Sequence, residues 1–502
     1  MRPLPGTLAL LLALSTPADL RAQGLFEEAL EEAEAEGAPA GEESGDAASA
    51  PAPSRGPTLE LGGRVRGAAF VGEAFAGEGP GLHAGYGELA LTARGRHGKR
   101  GSAFAELRLR AGHEYDAAFS GLELREAYLD LFLGPLDLRL GHQIIAWGRA
   151  DGLNPTDVLS PKNMGMRSAD PDDRRAAALA LRTQLYLEPM KLELVWLPAY
   201  FPSRFPPFQL PGPITLVEPA WPDARLENGT AAARLHLETS ALEASVSYVH
   251  GHAPFPGLRL HSFTLDPANT ESPASLGAGF EAYRQHLVGL DFATALGTLA
   301  GLRGEAALRL PLESEVKDDA EWIPLPDLQW IVGLDREVAT NLTVVVQYVG
   351  RHVLEWDGLE SKLGPLLGGD EPPDLTVLLD SLEPDERTAF LDAMVRGETP
   401  ALVYDEIRLK TRMVQGQSVE TSHALGLVVR WMGFHDTVSI DLAGQYNLST
   451  EEWMLRPALD WDLADGLSLR LGAELYHGPD DTLFGLMDSL LSAGFVEVSG
   501  SF

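Results

Sequence analysis

Cysteine is absent from the chain. Disulfides, thiolate chemistry and a lipid-bearing N-terminal cysteine are thereby excluded, and any anchoring has to come from the fold. Long apolar runs are missing too: 45% of the 502 residues are hydrophobic, yet past the first residues nothing is long enough for a transmembrane helix. Positive charge is scarce. Lys and Arg number 39 against 73 Asp and Glu, a formal net charge of -34, which argues against nucleic acid because phosphates need a basic footprint. The 13 histidines show no HExxH or other metal-ligand spacing, and no GxSxG nucleophile elbow occurs. Neither an enzyme, a metal nor a cofactor is expected.

What the chain does contain is period-two alternation, repeated to its end. Leu136, Leu138 and Leu140 alternate with Asp137 and Arg139; Leu89, Leu91 and Ala93 with Glu88, Thr92 and Arg94; Leu107 and Leu109 with Glu106, Arg108 and Arg110. The last strand ends on Phe502 in GFVEVSGSF. Spreading the apolar surface over every second residue is how a closed barrel faces lipid, so the expected fold is all-β: a transmembrane antiparallel barrel of about 18 strands, within 16 to 20, in a Gram-negative outer membrane. Short connections, such as 97–100, 134 and 188–189, fall on the periplasmic side with both termini. Long ones, such as 145–173, 198–229, 251–284 and 351–400, are extracellular or folded inward.

Three segments stand outside the alternation. Residues 1–22 carry Arg2, the run LALLLAL and LRA before Gln23, the pattern of a signal peptide. Residues 23–57 read as an acidic helical stretch followed by a Gly/Ala/Ser/Pro connector, leaving 58–502 for the barrel. Within 351–400, Leu378, Leu379, Leu382, Phe390, Leu391 and Met394 form a helical stripe stopped by Gly397, while Tyr404–Gln415 has strand-like content that would spoil an even count.

Charges of both signs fall on the inferred inward face, among them Arg66, Arg108, Arg139, Glu193, Arg234, Glu305 and Arg470. They are costly in hydrocarbon and cheap in a hydrated lumen. Two loops have unusual content. The first, 145–173, holds Trp147, Asn154 and Asp157 among turn formers; the second, 198–228, holds eight prolines from Pro198 to Pro222 with Phe201, Phe205 and Phe208 beside Arg204. Together with Gln143, these residues are the expected lumen constriction: the loops fold inward and meet, Trp147 is buried with Gly148 allowing close approach, and Asn154 and Asp157 fix the first loop through backbone hydrogen bonds.

At Gly141, Gln143, Trp147, Gly148, Asn154, Pro155 and Asp157 the chain resembles the G-x-Q-x-x-x-W-G and N-P-x-D signature of the domain-of-unknown-function 1302 family, Gram-negative outer-membrane proteins. Pro198, Pro202, Ser203, Arg204 and Pro206 resemble that family's second signature. Two departures are His142, where the family more often has Arg, and the acidic N-terminal helix. The resemblance implies an outer-membrane transport channel for a hydrophobic or amphiphilic compound such as a lipid, with an RND-type transporter and a periplasmic lipid carrier as partners. The charged lumen alone suits an alternative, a porin for small hydrophilic solutes; a scaffold barrel in an envelope complex is the third reading. Outer-membrane lipids and the barrel insertion machinery are expected partners in each case.

Overall fold

The computed structural model describes residues 57–73, 79–150, 152, 154–206, 214–265, 274–312, 320–363, 375–479 and 481–502. The signal peptide, nearly all of the acidic N-terminal segment and Phe208 lie outside the described residues. Each run of alternating residues forms a strand. In chain order these are β1 (Thr58–Glu73), β2 (Pro80–His97), β3 (Gly101–Glu114), β4 (Ala117–Leu133), β5 (Leu136–Gln143), β6 (Ala178–Leu187), β7 (Met190–Leu197), β8 (Ile214–Val217), β9 (Thr230–Glu238), β10 (Leu242–His252) and β11 (Gly257–Leu265). There follow β12 (Ala274–Glu281), β13 (Arg284–Ala295), β14 (Gly301–Pro311), β15 (Asp327–Ala339), β16 (Leu342–Val353), β17 (Thr421–Gly433), β18 (Val438–Asn447), β19 (Trp453–Ala464), β20 (Leu467–His477) and β21 (Ala493–Ser501).

Eighteen of these form one sheet, each paired antiparallel with its neighbours, and β1 pairs with β21 to close the ring. The remaining three, β8, β11 and β12, make a separate small sheet. Closure removes the edge strands, the condition for a sheet in lipid. At the seam the backbone of Phe502 exchanges two hydrogen bonds with Gly63, both at 2.9 Å.

The outward face is apolar: Leu61, Leu109, Leu140, Leu290, Val346, Leu427 and Leu471 are all exposed. Leu138 and Leu469 share that side and are half-buried. Inward, charged residues meet across strands, as in Arg139–Asp130 at 2.7 Å and Arg430–Asp441 at 2.6 Å; Arg470 pairs with Asp460 in the same way. Each of these pairs stands directly opposite in register, where cross-strand side chains are closest. The result is a barrel of the outer-membrane type with a lipid-facing belt and a polar interior. Even strand number puts both termini at one end, where the short turns also lie.

The long connections at the other end build a cap. Helices α1 (Leu375–Ser381), α2 (Pro384–Arg396) and α3 (Ala401–Val414) pack with β11 and β12 around Leu258, Leu276, Leu378, Phe390, Val403 and Ile407. The stripe expected between Leu378 and Met394 contributes all its members to that core but Leu391, which is exposed, and Gly397 ends α2 with φ 69°. Tyr404–Gln415, with its strand-like content, lies almost wholly within α3. Ile407, Leu409 and Met413 fit alternation, but Val403, Ile407, Thr411 and Val414 make a buried helical face whose first member lies just before that segment. A fourth helix, α4 (Leu483–Leu491), joins β20 to β21.

Candidate functional site: a loop across the lumen

The chain leaves β5 at Gln143 and does not re-enter the wall until β6. Between them it lies inside the barrel, because its partners are inward-facing side chains from many strands. On one side, Asp173 sits in a ring of cations: Arg66 of β1 at 2.6 Å, Arg108 of β3 at 2.8 Å and Arg125 of β4 at 3.7 Å, with the Ser168 hydroxyl donating at 2.5 Å. Burial would push the Asp173 carboxyl up, but the three guanidiniums hold it well below the usual carboxylate range. Arg125 also donates to the carbonyls of Asp172 and Asp173. Further along, Arg174 donates to Glu474 of β20 at 2.6 Å.

On the other side, Glu305 of β14 accepts from the Thr156 amide at 2.7 Å and hydroxyl at 2.8 Å, and from the Arg149 amide at 3.1 Å. Arg149 reaches Asp291 of β13 at 2.8 Å and also contacts Glu243 of β10. Following the pairings round the ring, eight strands separate β1 from β13 in either direction. The loop is therefore fastened to opposite walls.

Trp147 is 1% exposed and packs with Ile145, Leu159, Val195, Leu197 and Leu287; Phe201 joins the same cluster. Its indole N–H donates to Glu193 of β7 at 3.1 Å, so its polar partner is the wall and not the second loop. Gly148 has φ +109°, and a Cβ there would stand 2.6 Å from a Glu305 oxygen and 2.8 Å from Asn154, the close approach expected of this glycine. Asp157 accepts from the Trp147 amide at 3.4 Å and from Arg175 and Lys162, each at 3.1 Å. Asn154 contributes its backbone carbonyl to the Asp157 amide at 3.1 Å, while its side-chain oxygen has no partner among the described residues. Gln143 is fully buried at the root of the loop, donating to the Ala180 carbonyl at 3.0 Å.

The two loops meet where Phe201 packs in the Trp147 cluster, and again farther along. The Arg204 amide donates to the Lys162 carbonyl and the Met164 amide to the Arg204 carbonyl, both at 2.8 Å, and the Ser203 hydroxyl accepts from the Lys162 amide at 2.9 Å. The aromatics of the second loop separate: Phe201 joins the Trp147 cluster, whereas Phe205 stacks on Phe280 of β12, centroids 5.0 Å apart, in the cap. Of the three phenylalanines expected at the constriction, Phe201 and Phe205 are thus divided between two cores, and Phe208 lies outside the described residues.

Asp173, Arg125, Arg149 and Thr156 were not singled out from sequence. Arg125 carries a readable signal: Arg125 and Glu126 are adjacent and both buried, because the register slips between Glu106↔Glu126 and Leu107↔Leu124 and leaves Arg125 in a bulge. A charged pair interrupting the LELREAYLDLFL alternation marks that slip. Arg149 and Thr156 lie inside the first signature itself, as unlike polar groups among turn formers. Among the described residues no group of three or more His, Asp or Glu is placed to hold a metal ion.

The outer membrane protein opdK of Pseudomonas aeruginosa is similar at a TM-score of 0.48 with 8% identity, over 89% of this chain and 98% of that one. OccK5 (OpdH) of the same organism matches at 0.47 with 12% identity, over 88% and 97%, and OccAB1 of Acinetobacter baumannii at 0.47 with 8% identity, over 88% and 96%. No curated protein matches. The family model described as a protein of unknown function (DUF1302) matches residues 62–499, a span that takes in the barrel, both loops and the cap, and the chain belongs to that family.

Proposed function

We propose that the protein is an outer-membrane channel for small hydrophilic solutes, with the loop after β5 as the element that narrows its lumen. The observation that carries this reading is the two-sided fastening of the loop, Asp173 to β1, β3 and β4 and Arg149 with Thr156 to β13 and β14. A segment so held leaves a route bordered by charged and hydrogen-bonding groups, and it stays in place as solute passes. The amphiphile reading is less well served. Ile145, Trp147 and Leu159 of the first loop and Phe201 of the second are used in packing, and the cavity between Leu159, Leu197 and Phe201 holds about 20 Å³, room for one water and not for an acyl chain. The RND-type transporter and lipid carrier rest on resemblance alone and form no part of the proposal.

Planar-bilayer conductance tests the reading. The intact barrel is expected to give small, stable steps, and replacing residues 150–172 with a Gly/Ser linker to enlarge them severalfold. Trp147→Ala, which empties the cluster beneath the loop, is expected to raise ion leakage while heat-modifiable folded protein stays at the native level. A silent barrel both with and without the loop would overturn the channel; unchanged conductance in both variants would overturn the loop as its narrow point.

A further inference from the structure

Several of the described histidines stand on the outward face at the extracellular ends of their strands. His142, His250, His286, His352, His423 and His477 all share the side of their strand that carries the lipid-facing leucines and valines. They lie near the loop-side end in each case, at the top of the apolar belt. His142 meets Phe201 edge-on with centroids 6.4 Å apart, and the channel reading does not need the others.

Two of them recur in one arrangement. On β10 and β13, the Tyr248 hydroxyl lies 2.7 Å from Nδ1 of His286; on β16 and β17, the Tyr348 hydroxyl lies 2.7 Å from Nδ1 of His423. In both pairs the rings are stacked, with centroids at 5.9 and 6.1 Å and planes at 22° and 17°. The register is the same as well: the histidine stands opposite the residue two beyond the tyrosine, His250 in the first pair and Gly350 in the second. Both tyrosines are exposed, and below them run Val246, Val288 and Leu290 in one case and Val346, Leu425 and Leu427 in the other.

We propose that these pairs are two copies of a binding motif for the phosphate groups of the outer-leaflet glycolipid. In this motif the ring proton is assigned to Nε2, which leaves Nδ1 to accept from the tyrosine hydroxyl and Nε2 to donate to a headgroup. A fixed N–H donor at that depth, on an aromatic body that tolerates acyl chains, meets a phosphate oxygen without placing a permanent charge in the hydrocarbon. The first copy has further anion-binding character: His250 stacks on His286 with centroids 4.8 Å apart and Arg284 lies 3.2 Å from its Nε2. In the second copy, His352 pairs with the Thr421 hydroxyl at 2.8 Å beside His423. The rim histidine His477 differs, facing Trp453 and bridging to Asp488, and so serves as an internal contrast.

Binding of diphosphorylated lipid A to the purified, folded full-length barrel, counted by native mass spectrometry, tests the motif, with dephosphorylated lipid A as the second probe. The double variant His286→Phe and His423→Phe keeps a ring in each position and removes the donor. It is expected to lose about tenfold in affinity for the phosphorylated lipid, the size of one charge-assisted hydrogen bond, and to match the native protein with the dephosphorylated one. His477→Phe is expected to leave both unchanged. The proposal is overturned if the native barrel binds the two lipids equally, or if the folded double variant binds the phosphorylated lipid as tightly as the native protein. Should the double variant fail to fold, Tyr248→Phe with Tyr348→Phe, which frees Nδ1 and lets the ring turn, must show a smaller loss of the same kind; no loss there counts against the motif.

Discussion

The loop inside the barrel and the cap above it are both long insertions between strands, yet they are held by opposite means. The inserted loop is secured by buried charges and hydrogen bonds, centred on Asp173 and Glu305. The cap is secured by an apolar core in which Leu258, Leu276, Phe390 and Ile407 are almost wholly out of solvent. The difference follows from what each packs against. A barrel wall that shows leucine to lipid turns its polar residues inward, so a segment entering the lumen meets guanidinium and carboxylate and must satisfy them. The described part of the cap instead packs its helices on β11 and β12 and builds an apolar core as a soluble domain does.

The comparison breaks most sharply at Asp173. Asp173→Ala leaves Arg66, Arg108 and Arg125 crowded without their common counter-charge, and removing one partner from such a buried group costs about 3–5 kcal/mol. The expected outcome is a loop released from the β1 side: faster proteolytic cleavage between β5 and β6, larger conductance steps, and a lower melting temperature. A variant with native proteolysis and conductance would show that the Arg149 side alone holds the loop.

The complementary cut falls in the cap. Phe390→Ala empties a buried site and is expected to cost about 3–4 kcal/mol of the cap's local stability. Because that core is separate from the Trp147 cluster, protease sensitivity should rise around α2 while conductance stays at the native value. Conductance that changed with Phe390 would mean the two insertions act as one unit.

The same contrast explains what could be read from the chain. Period-two alternation placed nearly every wall strand within a few residues, since lipid on one side and water on the other impose it over the whole span. The first signature located the inserted loop, and Trp147, Gly148 and Asp157 stand in the kind of environment their chemistry suggests. Partners across the lumen were not legible. That Asp173 would meet Arg66 and Arg125 depends on a bulge in β4 and on how the ring closes, neither of which local pattern contains. The cap was harder still: α3 could be confused with a strand because Ile407, Leu409 and Met413 satisfy period two, and only its packing on β11 decides between strand and helix.

A milder change sharpens the loop's other attachment. Thr156→Val removes the hydroxyl that donates to Glu305 but keeps the backbone amide bonded to the same oxygen. The loss of one hydrogen bond to a carboxylate is expected to cost about 1.5–3 kcal/mol, with a modest rise in current noise and no release of the loop. Full release with this variant would show that the β14 side is the weaker fastening.

The smallest expected effect is that of pH. Asp173 has its folded value held well below the ordinary one by Arg66, Arg108 and Arg125 acting against burial, whereas in the unfolded chain it titrates near the usual value of about 3.9. A depressed carboxylate contributes stability that is fully present above the unfolded value and is lost only as pH falls through the folded one. The partners do not weaken this in the neutral range, since guanidiniums stay charged there. Loop docking, followed by proteolysis between β5 and β6 or by conductance, should therefore be flat from pH 8 down to about 4 and begin to fail only below. Asp173→Asn in the same assay should be undocked to a similar degree across that whole range, because the charge it lacks is the one whose titration the native protein postpones. A native loop that loosened between pH 7 and 5 would place the controlling group elsewhere and remove Asp173 as the anchor of the polar insertion.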